Sequence, residues 1–332
     1  MNAVVTGAAG FIGSHLCEAL CQAGHRVLGI DCFTDFYEPS DKHRNIEALG
    51  GAENFSLSTA DLRSADLEQL LDGADVVFHE AGQPGVRASW AGGFADYVTH
   101  NILATQRLLE AAGTVRCSRI VFASSSSVYG DSPSYPSTET DLPRPRSPYG
   151  ITKLAAEHLC SLYAANFGLS TVSLRYFSVF GPRQRPDMAV RRLIDAAIQG
   201  EPFPLYGTGE QVRDFTFVRD VVAANLLAGT SDVPPGTVVN IASGTSTSLA
   251  GLVRLVGELV ERPVATEHAP AQAGDPDRSG GAIETACRAL GWAPEVSLRD
   301  GLIEQLDWSR QAVRPPHPPT PSGVKPQRPA LG

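Results

Sequence analysis

Tyr149 and Lys153 are the two residues of this sequence whose types and spacing best suit proton transfer. They fall at the start of a predicted helix that follows Ser147 and Pro148, because proline favours the first turn of a helix. The four-residue spacing puts the phenol and the ammonium on one helix face. A cation beside a phenol favours the phenolate and lowers the tyrosine pKa from its ordinary value of about 10. We therefore predict that Tyr149 acts as a general base, with Lys153 beside it.

A run of four serines, residues 124–127, precedes that helix and could supply a second proton-transfer group. The run follows a predicted buried strand, and open α/β sheets bind their ligands at the carboxyl ends of the strands. We expect one hydroxyl to relay a proton, and the residues leave open whether Ser125 or Ser126 does so. Taken alone, a tyrosine–lysine pair also occurs on solvated helix faces, and a serine run is common in ordinary loops.

A glycine-rich turn at residues 6–13 directly follows the first predicted strand and indicates a dinucleotide site. Gly7, Gly10 and Gly13 would allow a tight turn and a close approach of the backbone to a pyrophosphate, at the positive end of the following helix. Asp31 lies eighteen residues beyond Gly13, at the end of the second strand. Its carboxylate would bind a ribose 2′-hydroxyl and repel a 2′-phosphate, which favours NAD over NADP. The alternative is a strand-to-helix turn with Asp31 as a capping residue.

A parallel sheet would bring these groups together, and the hydrophobic pattern predicts one. Short β-branched runs alternate with longer helical patterns, which is typical of an α/β fold with crossover helices. The runs are continuously apolar, so both faces of the sheet should be covered. We predict a Rossmann-type, doubly wound parallel sheet. Its predicted strands are Ala3–Thr6, Arg26–Ile30, Val76–His79, Arg119–Ser124, Thr171–Arg175 and Val238–Ala242.

The strand–helix alternation weakens after about residue 175, where the chain becomes richer in glycine, proline and arginine. We therefore predict an NAD-binding domain, a smaller interleaved α/β domain that binds the substrate, and a disordered tail. The tail is rich in proline and poor in large apolar residues, so it cannot offset the entropy of folding. The predicted bounds are 1–175 with a returning segment at about 215–245, then 176–214 with 246–312, and finally 313–332.

The composition excludes several classes of function. With 27 basic and 36 acidic residues the formal net charge is −9, which is the wrong sign for a nucleic-acid-binding protein. No apolar stretch approaches the roughly 18 residues of a membrane span. The six cysteines show neither a C-x-x-C pair nor zinc spacing, so we predict no metal site. Because the N-terminus also lacks the pattern of an export signal, we expect a cytoplasmic protein.

The glycine turn has the spacing T-G-x-x-G-x-x-G, which resembles that of the extended short-chain dehydrogenase/reductase family. Ser125, Tyr149 and Lys153 match the catalytic hydroxyl, tyrosine and lysine of that family, and the resemblance covers about residues 1–312. It implies an NAD-dependent enzyme acting on a nucleotide sugar, with Lys153 also holding the nicotinamide ribose. The chain departs from the family at Gly82, where an alanine is usual.

Three segments, 33–38, 79–87 and 175–189, are similar to the UDP-glucuronate 4-epimerases within that family. The resemblance implies that hydride leaves C4 of the sugar for NAD and returns to the other face of a 4-keto intermediate. Ser126 and Ser127 stand where sugar-nucleotide dehydratases carry an acid pair, which counts against elimination. The alternatives are a 4-epimerase of a neutral UDP-sugar, such as UDP-glucose or UDP-N-acetylglucosamine, a nucleotide-sugar dehydratase and, more remotely, a non-catalytic NAD or nucleotide-sugar sensor.

The resemblance also implies roles for individual residues and a homodimer formed through two long helices. Arg185 and Ser178 are candidates to grip the sugar carboxylate, Arg213 would bind the UDP phosphates, and Asp275 would bind the uridine ribose. The alternatives are a solvated Arg185, a salt-bridged Arg213 and a turn at Asp275. The implied cofactor contacts are Gly7, Gly10, Phe11, Ile12, Gly13, Asp31, Asp61, Leu62, Ala81, Gly82, Gln83, Ser124, Tyr149, Lys153 and Tyr176. The implied substrate contacts are Arg87, Ser125, Ser126, Ser178, Arg185, Arg213 and Asp275.

Overall fold

A seven-stranded parallel sheet lies at the centre of the protein. The computed structural model describes residues 1–90, 93–132, 134–270 and 274–313. The strands of these residues are β1 (Asn2–Thr6), β2 (Arg26–Asp31), β3 (Phe55–Thr59), β4 (Val76–His79), β5 (Arg119–Ser125), β6 (Thr171–Tyr176), β7 (Ser178–Phe180), β8 (Phe203–Tyr206), β9 (Val212–Arg213), β10 (Phe215–Phe217), β11 (Thr237–Ile241), β12 (Thr247–Ser248), β13 (Thr266–Ala269) and β14 (Arg278–Ser279). The central sheet has the order β11-β6-β5-β4-β1-β2-β3, and all of its neighbouring strands are parallel.

Helices connect the parallel strands, as crossover connections require. The helices of the described residues are α1 (Phe11–Gln22), α2 (Pro39–Glu47), α3 (Leu67–Leu71), α4 (Phe94–Tyr97), α5 (Ala104–Thr114), α6 (Pro148–Phe167), α7 (Ala189–Gln199), α8 (Val218–Thr230), α9 (Leu249–Leu259), α10 (Glu284–Leu290) and α11 (Leu298–Val313). A π-helical segment, Val98–Leu103, joins α4 to α5. Within the described part of the chain, no helix is both long and apolar enough to cross a membrane.

The apolar residues of the sheet divide between two main cores, one on each face. Along β4, Val77 belongs to the core that contains residues of α5 and α6, whereas Phe78 belongs to the core that contains residues of α1 and α8. Both residues are fully buried, because successive side chains of a strand point to opposite faces. The prediction of a doubly wound parallel sheet is confirmed.

The edge strand β3 was not predicted from the sequence. Phe55–Thr59 contains three hydroxyl residues rather than a continuous apolar run, and Leu57 is exposed. A strand at the edge of a sheet is paired on one side only, and its side chains can face solvent. Its hydrophobic pattern is therefore too weak to distinguish it from a loop.

The start of α6 places Tyr149 and Lys153 as the sequence predicts. Ser147 caps the helix, with its Oγ accepting a backbone N–H of the first turn at 3.1 Å, and Pro148 occupies the first helical position. The helix ends at Gly168, where φ is 68°, a left-handed conformation that favours glycine. The cap fixes where the helix begins, and therefore which side chains its first turn presents.

The second half of the chain adds three small sheets beside the central one. β7 pairs with β10, β9 joins β12 and β14, and β8 pairs with β13. These short strands carry two predicted substrate residues, Ser178 at the start of β7 and Arg213 at the end of β9. β11 instead returns to the edge of the central sheet. The division into two domains stays a prediction, and the predicted tail from residue 314 onward lies outside the described residues.

Candidate active site

The glycine turn forms one wall of an open cleft of about 980 Å³. Gly7 has a φ of 69°, and a Cβ there would lie 2.8 Å from the backbone nitrogen of Ala81. A Cβ on Gly13 would lie 2.2 Å from the Gly7 carbonyl oxygen. Both positions therefore require glycine, which leaves backbone exposed where the N-terminus of α1 meets the cleft. This cradle fits the pyrophosphate of a dinucleotide.

Asp31 lies in the same cleft at the end of β2, with 8% of its surface exposed. Its Oδ2 accepts the Ala9 N–H at 3.1 Å, and its Oδ1 accepts the Phe33 N–H at 2.8 Å. The ammonium of Lys42 lies 3.8 Å from Oδ1, and Lys42 also lines the cleft. These contacts hold the carboxylate where a ribose hydroxyl could reach it. Lys42 was missed in the sequence, although it lies only a few residues after the 33–38 segment.

Most of the other predicted cofactor residues also line this cleft. Asp61 is fixed by Arg63, whose Nε and Nη2 donate to its two oxygens at 3.0 and 2.6 Å. That side-chain hydrogen bonding holds the pKa of the Asp61 carboxyl below its ordinary value. The predicted residues that line the cleft together with Gly7, Gly13 and Asp31 are Gly10, Phe11, Ile12, Asp61, Leu62, Ala81, Gly82 and Gln83.

Asn101 joins the cleft to the catalytic helix. The Asn101 Oδ1 accepts the Gln83 N–H at 2.6 Å, and its Nδ2 donates to the Gln83 carbonyl oxygen and the Thr152 hydroxyl, both at 3.0 Å. Asn101 lies in the π-helical segment before α5 and is 2% exposed. Segments of this kind are common at functional sites because the extra residue redirects side chains. The sequence did not single out Asn101, since a π-helical turn has no recognisable pattern.

Ser125 and Tyr149 are brought together from β5 and α6. The Ser125 hydroxyl lies close enough to the Tyr149 phenol to favour its ionisation. Lys153 lies one turn further along α6 and is 6% exposed. Its ammonium donates to the Ala123 carbonyl oxygen at 2.8 Å and lies 5.1 Å from the centre of the Phe122 ring.

The pKa of Tyr149 departs from the sequence expectation. Burial raises it above its ordinary value, and the nearby Ser125 hydroxyl and the charge of Arg185 oppose that rise without reversing it. The expected net lowering of this pKa is therefore wrong for this structure, because burial of the phenol outweighs the groups that favour its ionised form. Burial also lowers the pKa of Lys153 to about 8, against the charge of Glu80, which raises it.

Two predicted cofactor residues have their hydroxyl groups engaged by protein partners. The Ser124 Oγ donates to Glu157 Oε2 at 2.7 Å, and Ser124 is 3% exposed. The Tyr176 hydroxyl donates to Glu80 Oε1 at 2.8 Å. The roles of both residues toward the cofactor stay predictions. Ser126 lies in a 3₁₀ turn directly after Ser125 and is half-buried.

Arg185 reaches the same cleft from the second half of the chain. Its Nε and Nη2 donate to the two carboxylate oxygens of Asp187, each at 3.0 Å. Its guanidinium lies 5.9 Å from the centre of the Phe36 ring, and its charge lowers the pKa of Tyr149. Arg185 is therefore near the candidate base, and it already binds one carboxylate with two parallel hydrogen bonds. Ser178 is half-buried, and its backbone N–H donates to the Asp214 carbonyl oxygen.

A second cluster contains the residues predicted to bind the nucleotide of the substrate. Arg87 forms an ion pair with Asp275 at 3.1 Å, and its guanidinium lies 4.2 Å from the centre of the Tyr206 ring. Burial lowers the pKa of Arg213, and the nearby charge of Asp275 opposes that shift. The fold thus brings Arg87, Arg213 and Asp275 together from distant parts of the sequence. Their roles toward a substrate stay predictions.

Comparisons with known proteins agree with this geometry. The family model of the NAD dependent epimerase/dehydratase family matches residues 3–242. The chain is 43% identical over 307 residues to an uncharacterized UDP-glucose epimerase of Bacillus subtilis, covering 92% of this chain and 97% of the relative. It is 32% identical over 316 residues to the UDP-glucuronate 4-epimerase of Thermodesulfobacterium geofontis, covering 93% and 96%.

A solved structure shares the whole fold. The chain superposes on the UDP-glucuronic acid 4-epimerase of Bacillus cereus, crystallised with UDP-glucuronic acid and NAD, with a TM-score of 0.91 and 40% identity. The match covers 94% of this chain and all of the other. The predictions of the family and of NAD as its cofactor are confirmed. The chain belongs to the NAD-dependent epimerase/dehydratase family, within its UDP-sugar 4-epimerases.

Proposed function

We propose that this enzyme is a UDP-glucuronate 4-epimerase, which interconverts UDP-glucuronate and UDP-galacturonate. The observation that carries the proposal is Arg185, a guanidinium in the cleft whose charge acts on the candidate base Tyr149. A uronate differs from a neutral sugar by its carboxylate, so a cation beside the reacting carbon favours the uronate. The 40% identical Bacillus cereus enzyme, crystallised with UDP-glucuronic acid, supports the same assignment.

In the proposed reaction, Tyr149 and Ser125 act on the 4-hydroxyl of the sugar. The Ser125 hydroxyl lies close to the phenol and favours its ionised form, so the two groups are placed to pass a proton between the sugar oxygen and Tyr149. Lys153 stabilises the phenolate by its charge and would hold the nicotinamide ribose. Bound NAD supplies the acceptor and donor of the C4 hydride. The 4-keto sugar turns over in the cleft before the hydride returns, which inverts C4.

The same arrangement explains how a uronate could avoid decarboxylation. A 4-keto uronate is a β-keto acid, and it loses CO₂ when the carboxylate bond aligns with the carbonyl π system. A guanidinium can restrict rotation of a carboxylate by holding both oxygens. Arg185 makes this kind of contact with Asp187. We assign Arg185, with Ser178, to hold the substrate carboxylate in place of Asp187.

A 4-epimerase of neutral UDP-sugars is the second candidate. The Arg185–Asp187 pair favours it, because a guanidinium whose charge is already compensated needs no acidic substrate. The Bacillus subtilis relative, described as a UDP-glucose epimerase, supports this candidate. For either substrate we assign Arg213 and Arg87 to the diphosphate and Asp275 to the uridine ribose, so the nucleotide end does not discriminate between the two.

We also propose that the enzyme is a homodimer that pairs α5 and α6 of the two subunits. Apolar side chains on and just before these helices are strongly exposed: Leu103 at 46%, Ile151 at 51%, Leu162 at 53% and Phe167 at 75%. The helices α5 and α6 pack against each other, so an interface that pairs them would cover these apolar side chains. Light scattering of the purified protein tests the assignment, and a Phe167→Glu substitution is expected to shift the particle toward the monomer.

A substrate comparison tests the proposed function. Purified enzyme is supplied separately with UDP-glucuronate, UDP-glucose and UDP-N-acetylglucosamine, and the 4-epimers are separated and quantified. We expect kcat/KM to be highest for UDP-glucuronate, with no UDP-pentose formed by decarboxylation. The Tyr149→Phe variant is the control for contaminating activity. Conversion of UDP-glucose without conversion of UDP-glucuronate would assign the enzyme to neutral sugars.

A further inference from the structure

Glu80 is a carboxyl group in the cleft wall for which the reaction above has no role. It directly follows β4, lines the cleft and is of intermediate exposure. Burial against the surrounding protein raises its pKa to about 7. A carboxylate is costly to place in such surroundings unless something compensates its charge.

The position of Glu80 is fixed by Tyr176 and Asn225. Asn225 Nδ2 donates to the Tyr176 hydroxyl at 2.7 Å and to the Val221 carbonyl oxygen at 2.9 Å, and the second bond fixes the orientation of its amide. The Tyr176 hydroxyl accepts from that amide, and its own proton has two acceptors, Glu80 Oε1 at 2.8 Å and Asn225 Oδ1 at 3.0 Å, of which Glu80 is the nearer. A hydroxyl donor favours the ionised carboxylate, and the hydrogen bond from Tyr176 lowers the pKa of Glu80.

Lys153 is the positive group that acts on Glu80. Each favours the charged form of the other: the ammonium lowers the pKa of Glu80, and the carboxylate raises the pKa of Lys153. Gly82 lies on the same loop as Glu80, and a Cβ there would be 3.3 Å from the Lys153 Nζ. The loop that carries Glu80 therefore runs alongside the ammonium.

The other groups that face this pair do not replace Glu80. His79 is fully buried with a pKa lowered to about 3 by burial and by Lys153, so it is neutral. Burial raises the pKa of the Cys160 thiol to about 12 and holds that of Tyr176 well above its ordinary value, so both are protonated. The ammonium itself donates to a neutral carbonyl oxygen.

We propose that Glu80 is a positioning residue that keeps Lys153 in its ammonium form, the form in which the lysine can stabilise the Tyr149 phenolate. Glu80 acts on the base only through the lysine. A neutral Lys153 would still fill the same space but would supply no charge to the reaction. The proposal holds for any sugar substrate of the family, so it does not depend on the choice between a uronate and a neutral sugar.

The lysine content of the chain allows a direct measurement. The sequence contains three lysines, Lys42, Lys153 and Lys325. Protein grown with lysine labelled with ¹³C at the ε position and purified with its NAD gives few resonances, which Lys42→Arg and Lys325→Arg variants assign. The pH dependence of each ¹³C shift then gives the pKa of each ammonium, without any turnover.

The variants separate the charge of Glu80 from its shape. In Glu80→Gln, which keeps the shape and an acceptor for Tyr176, we expect the Lys153 midpoint to fall by on the order of one pH unit. In Glu80→Asp, which keeps the charge, we expect most of that shift to be restored. Lys42 is the internal control, and its midpoint should be the same in all three proteins.

Enzyme activity provides an independent readout. The pH at which kcat stops rising, which Lys153 sets, should move to lower pH in Glu80→Gln by the same amount as the NMR midpoint of Lys153. Tyr176→Phe removes the hydrogen bond to Glu80, raises the pKa of that carboxyl and should move this pH in the same direction by a smaller amount. An unchanged Lys153 midpoint in Glu80→Gln, or equal shifts in Glu80→Gln and Glu80→Asp, would overturn the proposal.

Discussion

Two charged groups lie one turn apart on α6, and they differ in the partners that surround them. Lys153 donates to a carbonyl oxygen, and burial lowers its pKa to about 8. Glu157 receives two hydrogen bonds from Arg175, from Nη2 at 2.6 Å and from Nε at 3.0 Å, with both side chains at most 5% exposed. The hydrogen bonds from Arg175 to Glu157 raise the pKa of that guanidinium, although burial acts against them.

The difference in partners gives the two groups different roles: Glu157 holds elements in position, and Lys153 can change its charge. The Arg175–Glu157 pair joins β6 to α6, and Ser124 on β5 donates to the same carboxylate, so the pair fixes three elements around the candidate site. A guanidinium held in such a pair keeps its protons at neutral pH and cannot take part in proton transfer. Lys153 forms no bidentate ion pair of this kind, and a small change in its surroundings alters its charge. The Arg175–Glu157 pair, called the rigid pair below, thus supports a site whose reactive group, Lys153, has a pKa close to neutral pH.

Replacing the base should have the largest effect on rate. We expect Tyr149→Phe to lower kcat by at least about 10³-fold, because the phenyl ring cannot accept a proton. Bound NAD, measured by releasing it from the purified protein, and the thermal unfolding midpoint should stay near those of the unchanged enzyme. A rate within tenfold of the original would assign the base to another group.

Breaking the rigid pair should have the largest effect on stability. Glu157→Gln leaves the buried Arg175 guanidinium without its carboxylate, which costs about 3–5 kcal/mol of unfolding free energy. Glu304→Gln, at the exposed pair with Arg219, is the matched control and should cost less than about 1 kcal/mol. Urea unfolding measures both. Equal values for the two variants would contradict a supporting role for the buried pair.

Removing Arg185 tests whether the cleft recognises a carboxylate. We expect Arg185→Ala to lower kcat/KM for UDP-glucuronate by about 10–100-fold, the worth of a charge-assisted hydrogen bond pair. The effect on UDP-glucose should be several-fold smaller, because it comes only from the lost action of this charge on the pKa of Tyr149. Arg299→Ala, on an exposed ion pair, is the control for general loss of charge. Equal losses on both substrates would show that Arg185 is structural.

A pH series should change the lysine site and leave the rigid pair intact. Activity is expected to stop rising with pH above about 8, because the loss of the Lys153 proton then offsets the growing phenolate fraction of Tyr149, whose pKa is raised. The pKa of Lys153 is about 8 in the folded protein and 10.5 as its ordinary value, which we take for the unfolded chain. Between pH 8 and pH 10.5 the unfolded chain therefore binds more protons at this lysine than the folded protein does. The contribution of Lys153 to the free energy of unfolding rises with pH over this range. Loss of activity together with unfolding above pH 8 would contradict this assignment.

Substitutions at the two adjacent serines, Ser124 and Ser125, should differ in their effect on rate, and their effects are the smallest of those predicted. Ser124→Ala removes one hydrogen bond to Glu157 and is expected to cost about 1 kcal/mol of unfolding free energy with little change in rate. Ser125→Ala should lower kcat by at least about tenfold, because its hydroxyl lies close to the phenol, and should also cost about 1 kcal/mol of unfolding free energy, because it removes the acceptor of the Ser127 N–H. A larger loss of rate in Ser124→Ala than in Ser125→Ala would assign the proton-transfer role to Ser124.

The parts of the fold that could be predicted from the sequence are those with strong local signals. The buried strands are continuously apolar, Ser147 and Pro148 define the start of α6, and the glycine turn follows β1 directly. The edge strand β3 has no such pattern, because half-exposed hydroxyl residues also suit a loop. The π-helical turn that positions Asn101 was missed for the same reason.

In the candidate site, residue types were predictable and their electrostatic states were not. Glu80 follows β4 in a segment whose other members were singled out, yet its contact with Tyr176 joins residues 96 positions apart. The expected lowering of the Tyr149 pKa failed because burial of the phenol, which helical spacing does not give, raises that pKa.

The sequence by itself determined the order of strands and helices, the glycine cradle and the four-residue spacing of Tyr149 and Lys153, since each depends on neighbours along the chain. Only the tertiary structure decided which carboxylate faces Lys153, which one holds Arg175, and that the charge of Arg185 acts on the candidate base. Burial and charge act through space, and their strength depends on distances of a few ångströms between residues far apart in sequence.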